Sequence, residues 1–213
     1  MIESISLNQT REMFVFLSQQ IIANKDNLNK ADQPIGDGDH GYSMERGFEA
    51  VTEMLGTEHP ETIADVFLSV GNKLIFSVGG SAGIIFGTFF RSGSKALINK
   101  QVLDSSGITD FLQFGMEAII KRSGAKPGDK SMIDALYPAV IKAHEINEND
   151  LSITLNSIAE AALGGIENTK LMKANIGRAK NYGDATVGFP DPGAITTYLI
   201  LRSMSDFVRN LPA

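Results

Sequence analysis

The chain has no cysteine among its 213 residues. That absence excludes disulfides, zinc ribbons, thiolate catalysis and cysteine-held iron–sulfur clusters together. Basic residues are scarce as well: 19 Lys and Arg stand against 25 Asp and Glu, for a formal net charge of −6 and a pI near 5.1. With no Lys/Arg run there is no basic face of the kind that phosphate backbones require, so a nucleic-acid binder is excluded. Long apolar runs are missing too. The longest is about five residues, far short of the roughly 20 that a membrane span needs. The opening Met1-Ile2-Glu3-Ser4 has no basic n-region followed by an apolar core, as a signal peptide would. The expectation is a soluble intracellular protein.

What is present is an ordinary globular composition, 43% apolar and 21% charged, which excludes disorder and collagen-like repeats. The length fits one large domain or two small ones. Apolar spacing is helical nearly throughout. Phe14, Leu17, Ile21 and Leu28 share one helix face, as do Met44, Phe48, Val51 and Leu55, with Gly56 as a stop. Ile63, Phe67, Val70 and Leu74 repeat the pattern after Pro60, which suits a first helical turn. Further helices are predicted over about 82–98, 107–123, 131–146, 150–172 and 192–209. No segment sustains a period-2 alternation, so the reading is all-α, eight helices and no sheet.

The 21 glycines are about a tenth of the chain, above the usual roughly 7%. With the aspartates they concentrate in four connections, 32–41, 77–83, 124–130 and 177–193. No Ser/Pro-rich linker divides the chain, so one domain over 1–213 is expected. Gly83 and Gly87 interrupt an otherwise apolar helix, and close helix–helix packing is the expected reason. In an up-and-down bundle these four connections all fall at one end.

The segment Ala31-Asp32-Gln33-Pro34-Ile35-Gly36-Asp37-Gly38-Asp39-His40-Gly41 packs three carboxylates together, and the nearest cations in sequence, Lys30 and Arg46, lie outside it. Carboxylates this close repel unless they are solvated or share a cation, and hard oxygen donors suit Mg²⁺ or Ca²⁺. The alternative is an Asp/Gly-rich turn without a ligand. Gly36–Gly41 literally matches G-x-G-x-x-G, but a helix precedes it where the dinucleotide motif needs a strand. An EF-hand fails because the twelfth position from Asp37 is Phe48, not Glu. Gly124-Ala125-Lys126-Pro127-Gly128-Asp129-Lys130-Ser131 resembles a P-loop only superficially, since Asp129 intervenes and no strand leads in.

Val78-Gly79-Gly80-Ser81-Ala82-Gly83 opens a helix with small residues. Its unpaired N–H groups form either an anion nest or a plain helix start with Ser81 as N-cap. Gly177-Arg178-Ala179 supplies a cation, and Asp191-Pro192-Gly193-Ala194 reads as a turn into a last helix. A metal triad, an anion nest and an arginine at one rim amount to a Mg-nucleotide site.

In this order Ile35–Gly41, Gly79-Gly80-Ser81, Gly87-Thr88-Phe89-Phe90, Pro127–Leu136, Gly177-Arg178-Ala179 and Asp191–Ala194 follow one another along the chain. The set resembles the nucleotide-binding L subunit of bacterial dihydroxyacetone kinases, and the matching domain of the single-chain enzymes. The resemblance implies an eight-helix antiparallel up-and-down barrel with ADP (or ATP) and two Mg²⁺ at one rim. Asp32, Asp37 and Asp39 fall on its metal-binding aspartates. His40, Gly41 and Ser43 fall on the nucleotide loop, Gly80, Ser81 and Ala82 on the phosphate turn, and Met132 on the adenine pocket. Arg178, Asp191 and Gly193 match the remaining nucleotide contacts, with Arg178 assisting transfer. The implied partners are a ketose-binding kinase subunit, which holds the triose through a histidine, and a phosphohistidine donor protein of the phosphotransferase system, with a homodimer also open. The implied location is cytoplasmic. His59 and His144 lack any motif and are expected at the surface.

The pattern departs from the family at Ala82-Gly83-Ile84-Ile85-Phe86, where Ser-Gly-Pro-Leu-Tyr is common, at Phe189, often His, and at Gly183-Asp184-Ala185-Thr186. None of these removes a charged metal or phosphate ligand. An ATP-dependent subunit for another short keto-sugar and a non-catalytic regulatory paralogue are the alternatives, and the intact aspartate set argues against the second.

Overall fold

Ser6 opens the first helix with a capping box. Its hydroxyl accepts the Gln9 N–H, and the Gln9 side chain accepts the Ser6 N–H in return. Helix α1 then runs Leu7–Ala23. The apolar stripe stays in phase as far as Leu28, but the backbone breaks at Asn24, whose side-chain amide donates to the Gln20 carbonyl. A short α2 covers Lys25–Asp32 and still delivers Leu28 to the core.

The computed structural model describes residues 1–212. After α2 come α3 (His40–Thr57), α4 (Ile63–Ser77), α5 (Gly80–Gly93), α6 (Ser105–Ser123), α7 (Ile133–Glu145), α8 (Leu151–Thr169) and α9 (Pro192–Arg209). Thr62, Asp104, Asp150 and Asp191 cap α4, α6, α8 and α9, each side chain accepting a first-turn N–H. From α3 to α9 each helix packs on the next. Helix α1 packs on α3 at one side and on α9 at the other, which closes a ring of eight. Most connections are short and make successive neighbours antiparallel, and the longer ones over 94–104 and 170–191 also join helices that pack side by side, so the ring is the up-and-down barrel that the glycine loops imply. Helix α2 is not a member of the ring and lies against α3 and α9.

Two details depart from the expected pattern. Ser4–Ile5 (β1) and Leu103–Asp104 (β2) form a two-residue antiparallel bridge, Ile5 opposite Leu103, too short to show any alternation in sequence. The helix expected over 82–98 stops at Gly93 and ends in a 3₁₀ turn, Ser94–Leu97.

The barrel end where α1, α4 and α6 begin is filled by phenylalanines. Phe67 lies 4.9 Å from Phe14 and 4.6 Å from Phe111 in edge-to-face contact, and Phe89 lies 4.8 Å from Phe111. Gly87 lets α5 approach α4 closely, because a Cβ there would lie 2.7 Å from the Gly71 carbonyl. One at Gly83 would lie 3.1 Å from the Leu74 carbonyl. The four glycine loops stand at the opposite end. No described helix is long and apolar enough to cross a membrane.

Candidate functional site

Asp32, at the end of α2, is the buried anchor of the acidic loop. Its Oδ2 accepts the N–H groups of Gly38 at 2.8 Å and Asp39 at 3.1 Å. Gly38, at φ 76°, supplies the left-handed turn that folds the loop back on Asp32. Asp32, Asp37 and Asp39 thereby bring one carboxylate oxygen each within 4.8 Å of one another. Asp39 occupies the N-cap position of α3, yet its side chain caps nothing. That task falls to Asn29 Oδ1, which accepts the Gly41 N–H at 2.7 Å and the Tyr42 N–H at 3.3 Å. Three converging hard oxygens, one carboxylate buried and two exposed, fit a Mg²⁺ or Ca²⁺ centre. The fold also gives this loop a cation that is distant in sequence, since Arg178 ion-pairs with Asp37.

At the start of α5, Gly79 and Gly80 are left-handed, at φ 80° and 57°. Gly79, not Ser81, is the N-cap, and no side chain caps the first turn. The Ser81-capped alternative is thereby removed, and the first N–H groups of α5 have no side-chain acceptor. A Cβ on Gly80 would meet nothing within 4 Å, so the turn faces open space. Arg46 of α3 donates to the carbonyls of Val78 at 2.8 Å and Ser77 at 3.1 Å, which places a second cation beside the turn. Ser43 Oγ accepts from the same guanidinium at 3.4 Å.

Between these loops lies a cleft of about 340 Å³, within the usual size range of small-molecule sites. Asp32, His40, Ser81, Lys130, Arg178 and Asp191 give the lining polar groups. Ile85, Phe86, Ile119, Met132 and Ile133 give it apolar surface. Of the residues singled out in the sequence, Asp32, His40, Ser81, Ala82, Met132, Arg178, Asp191 and Gly193 line it. Asp37, Asp39, Gly41, Ser43 and Gly80 are not among the lining residues. Gly41 has a packing task of its own: its N–H is held by Asn29, and a Cβ on it would overlap the Lys25 carbonyl, so it lets α3 approach α2.

His40 faces the cleft, but its Nε2 lies 2.8 Å from Thr196 Oγ1 of α9. Burial pulls its pKa down to about 4, so the ring is neutral near pH 7. Asp191 caps α9 through the Ala194 N–H at 2.7 Å. Burial pushes its pKa up to about 7; the Ala194 N–H opposes this, Asp134 adds to it, Lys130 opposes it and Asp32 adds to it. His59 and His144 are exposed and stand outside the cleft.

Four residues to which the sequence assigned no task hold the loops around the cleft: Asn29, Arg46, Lys130 and Asp134. Asp134 accepts the Gly128 N–H at 2.5 Å and the Ser131 N–H at 2.8 Å, pinning the turn into α7. The Ser131-x-x-Asp134 spacing is a capping-box signature that could have revealed it. The other three act between segments far apart in sequence, where no spacing signals them.

The family described as the DAK2 domain matches residues 34–206. The ADP-binding subunit DhaL of a PEP-dependent dihydroxyacetone kinase (kinase 1) of Listeria innocua is 36% identical over 186 residues, spanning 87% of this chain and 89% of its own. Its Escherichia coli counterpart is 34% identical, over 84% of this chain and 86% of its own. The L-erythrulose 1-kinase of Mycolicibacterium smegmatis is 29% identical over 88% of this chain, which spans 34% of that longer protein. The solved dihydroxyacetone kinase of C. freundii in complex with AMP-PNP and Mg²⁺ superposes with a TM-score of 0.75 at 22% identity, covering 97% of this chain and 35% of that one, a likeness of fold. Matched by the family's model over most of its length, and more than 30% identical to full-length relatives, the chain belongs to the DAK2 domain family.

Proposed function

We propose that this chain, acting as one unit over residues 1–213, is the ADP-binding subunit of a phosphoenolpyruvate-dependent dihydroxyacetone kinase, a phosphotransferase. The observation that carries the reading is the convergence of Asp32, Asp37 and Asp39 at a cleft that the uncapped start of α5 also lines, together with apolar side chains. The full-length relatives that bear this description support it.

Each residue then has a task set by its position. Asp32, held rigid by two amides, and the more exposed Asp37 and Asp39 would hold Mg²⁺, with oxygens enough to share between two ions that keep waters and phosphate oxygens. The N–H groups of Gly80, Ser81 and Ala82 point their helix-end charge at phosphate oxygens. Arg178 places a permanent charge at the lip, where charge develops during transfer. Met132 and its apolar neighbours bury the base. The bound Mg-nucleotide supplies the phosphoryl group and neutralises its oxygens. The ketose would be held on a partner subunit and the nucleotide recharged by a phosphohistidine protein, a reading supported by the relatives described as subunits of PEP- or PTS-dependent kinases.

The protein as purified is expected to carry adenine nucleotide, visible at 260 nm. It is expected to phosphorylate dihydroxyacetone only with the ketose-binding subunit, the relay proteins and phosphoenolpyruvate present. Turnover by the chain alone with ATP, Mg²⁺ and dihydroxyacetone would overturn the reading. The match to an L-erythrulose 1-kinase favours a second reading, an ATP-dependent subunit for another short keto-sugar. Turnover with the ketose-binding subunit and ATP, without any relay protein, would select it.

A further inference from the structure

Lys130 is the one described non-glycine residue with a positive φ, 62°. Its side chain is 1% exposed. A left-handed lysine is disfavoured and persists only where its surroundings hold it. Here they do. The Nζ donates to the carbonyls of Thr169 at 2.6 Å, Met172 at 3.2 Å and Phe189 at 2.5 Å. An ammonium has three donors, and these three acceptors use all of them.

The acceptors come from the two sides of the last glycine loop. Thr169 ends α8, Met172 begins the loop, and Phe189 closes it just before α9. Thr169 Oγ1 in turn accepts the Asp191 N–H at 3.0 Å. Asp129, next to Lys130, adds a backbone bond, accepting the Asn175 N–H at 3.1 Å. One lysine thus joins the α6–α7 turn, which carries Met132, to the α8–α9 connection, which ends at Asp191, the N-cap of α9. Lys130 lines the cleft between them. No comparable tie runs from it to the aspartate triad or to the Gly79–Ala82 turn.

We propose that Lys130 is the positioning residue of the base end of the cleft: its ammonium holds the α8–α9 connection at the distance from Met132 at which an adenine ring is gripped. The inference rests on the nucleotide-binding reading above and goes beyond it, because it assigns the base side of the site to a lysine outside the metal and phosphate loops. The phosphate side stands on the Asp32 amide bonds and the α5 start, and it meets the α8–α9 connection only through exposed side chains, Arg178 on Asp37 and Tyr182 on the Gly36 carbonyl.

The test compares Mg-ADP with Mg-pyrophosphate, titrated calorimetrically on the folded fraction of each protein. Lys130→Met removes the three donors at similar length. Lys130→Gly removes them while easing the left-handed backbone, so that at least one variant folds. The expected result in both is a loss of Mg-ADP affinity of about tenfold or more, the size of a lost charge-assisted hydrogen bond. Mg-pyrophosphate affinity should fall clearly less, and Lys130→Arg, which keeps a donor charge, should recover part of the ADP loss. A purely structural lysine would lower the melting temperature and leave both affinities per folded molecule unchanged, which would overturn the proposal. So would an equal fall in both ligands. Wild-type protein that bound no Mg-ADP would sink the nucleotide reading itself, and this inference with it.

Discussion

Arg178 ion-pairs with Asp37, joining the loop before α9 to the loop before α3 across the barrel rim. Both side chains are well exposed, 62% and 42%, so the pair adds little to folding, within about 1 kcal/mol. Its meaning is local. The guanidinium stands at the place where the aspartate triad would meet a divalent ion and a phosphoryl group.

The two partners should therefore separate by ligand. Asp37→Asn removes a carboxylate from the triad and should weaken Mg²⁺ and Mg-ADP alike, by at least the roughly 10–100-fold that the loss of outer-sphere metal partners costs. Arg178→Gln removes a cation that competes for Asp37. Mg²⁺ alone should then bind no more weakly, while Mg-ADP should bind more weakly. Calorimetry and thermal melting of the two variants check this. Equal Mg²⁺ loss in both, or an Asp37→Asn protein that holds Mg-ADP as tightly as wild type, would count against the site.

The phosphate turn makes a second case. Gly80 has φ 57° and empty space where a Cβ would point, so Gly80→Val meets no protein atom but takes a backbone that β-branched residues avoid. The expected stability loss is about 1–2 kcal/mol. Mg-ADP affinity per folded molecule should fall as well, because the new methyls fill the space in front of the α5 amides. Gly80→Ala should show the same order with smaller effects. Unchanged affinity in the folded fraction of Gly80→Val would mean that the turn only starts a helix.

The barrel was legible because helical apolar spacing and four glycine loops carry local signals, and at α9 the Asp-Pro-Gly start agrees with the spacing that follows it. The break at Asn24 was not, since Leu28 stays in phase with α1 and periodicity is blind to a kink that preserves phase. The convergence of the aspartates was legible, since their crowding is itself a signal, and so was the small-residue start of α5. Gly41 shows the limit. A glycine in a nucleotide-like motif can be required by the backbone of a neighbouring helix, here the Lys25 carbonyl, and the motif does not say which. The roles of Lys130 and Arg46 escaped because their acceptors, main-chain carbonyls in and beside the connections, have no signature in sequence.

The two ends of the barrel should respond independently to mutation. Phe67 is fully buried and meets Phe14, Phe90 and Phe111 at the end away from the rim. Phe67→Ala should cost about 3–5 kcal/mol by leaving a cavity among aromatic neighbours. Mg-ADP affinity of the folded fraction should not change, since none of these rings lines the cleft. Denaturant titration combined with calorimetry tests both halves of the statement, and a parallel loss of affinity would show that the ends are coupled.

His40 and Asp191 should make opposite contributions to the pH dependence of stability. His40 is held near a pKa of about 4 when folded, against 6.5 ordinarily. Between those values the unfolded chain binds more protons, so the His40 contribution makes stability rise with pH from about 4 to 6.5. Asp191 is raised to about 7 from 3.8. Across that window the folded protein binds more protons, so its contribution is full below 3.8 and is lost as pH climbs to about 7. In the wild type the two slopes oppose each other through pH 4 to 6.5. Each can be exposed by removing the other. His40→Gln protein should lose stability with rising pH more steeply than wild type, and Asp191→Asn protein should gain it more steeply. Urea titrations of the three proteins at half-unit steps from pH 4 to 7.5 measure this directly. If either variant runs parallel to wild type across the window, the corresponding group does not titrate as its burial requires.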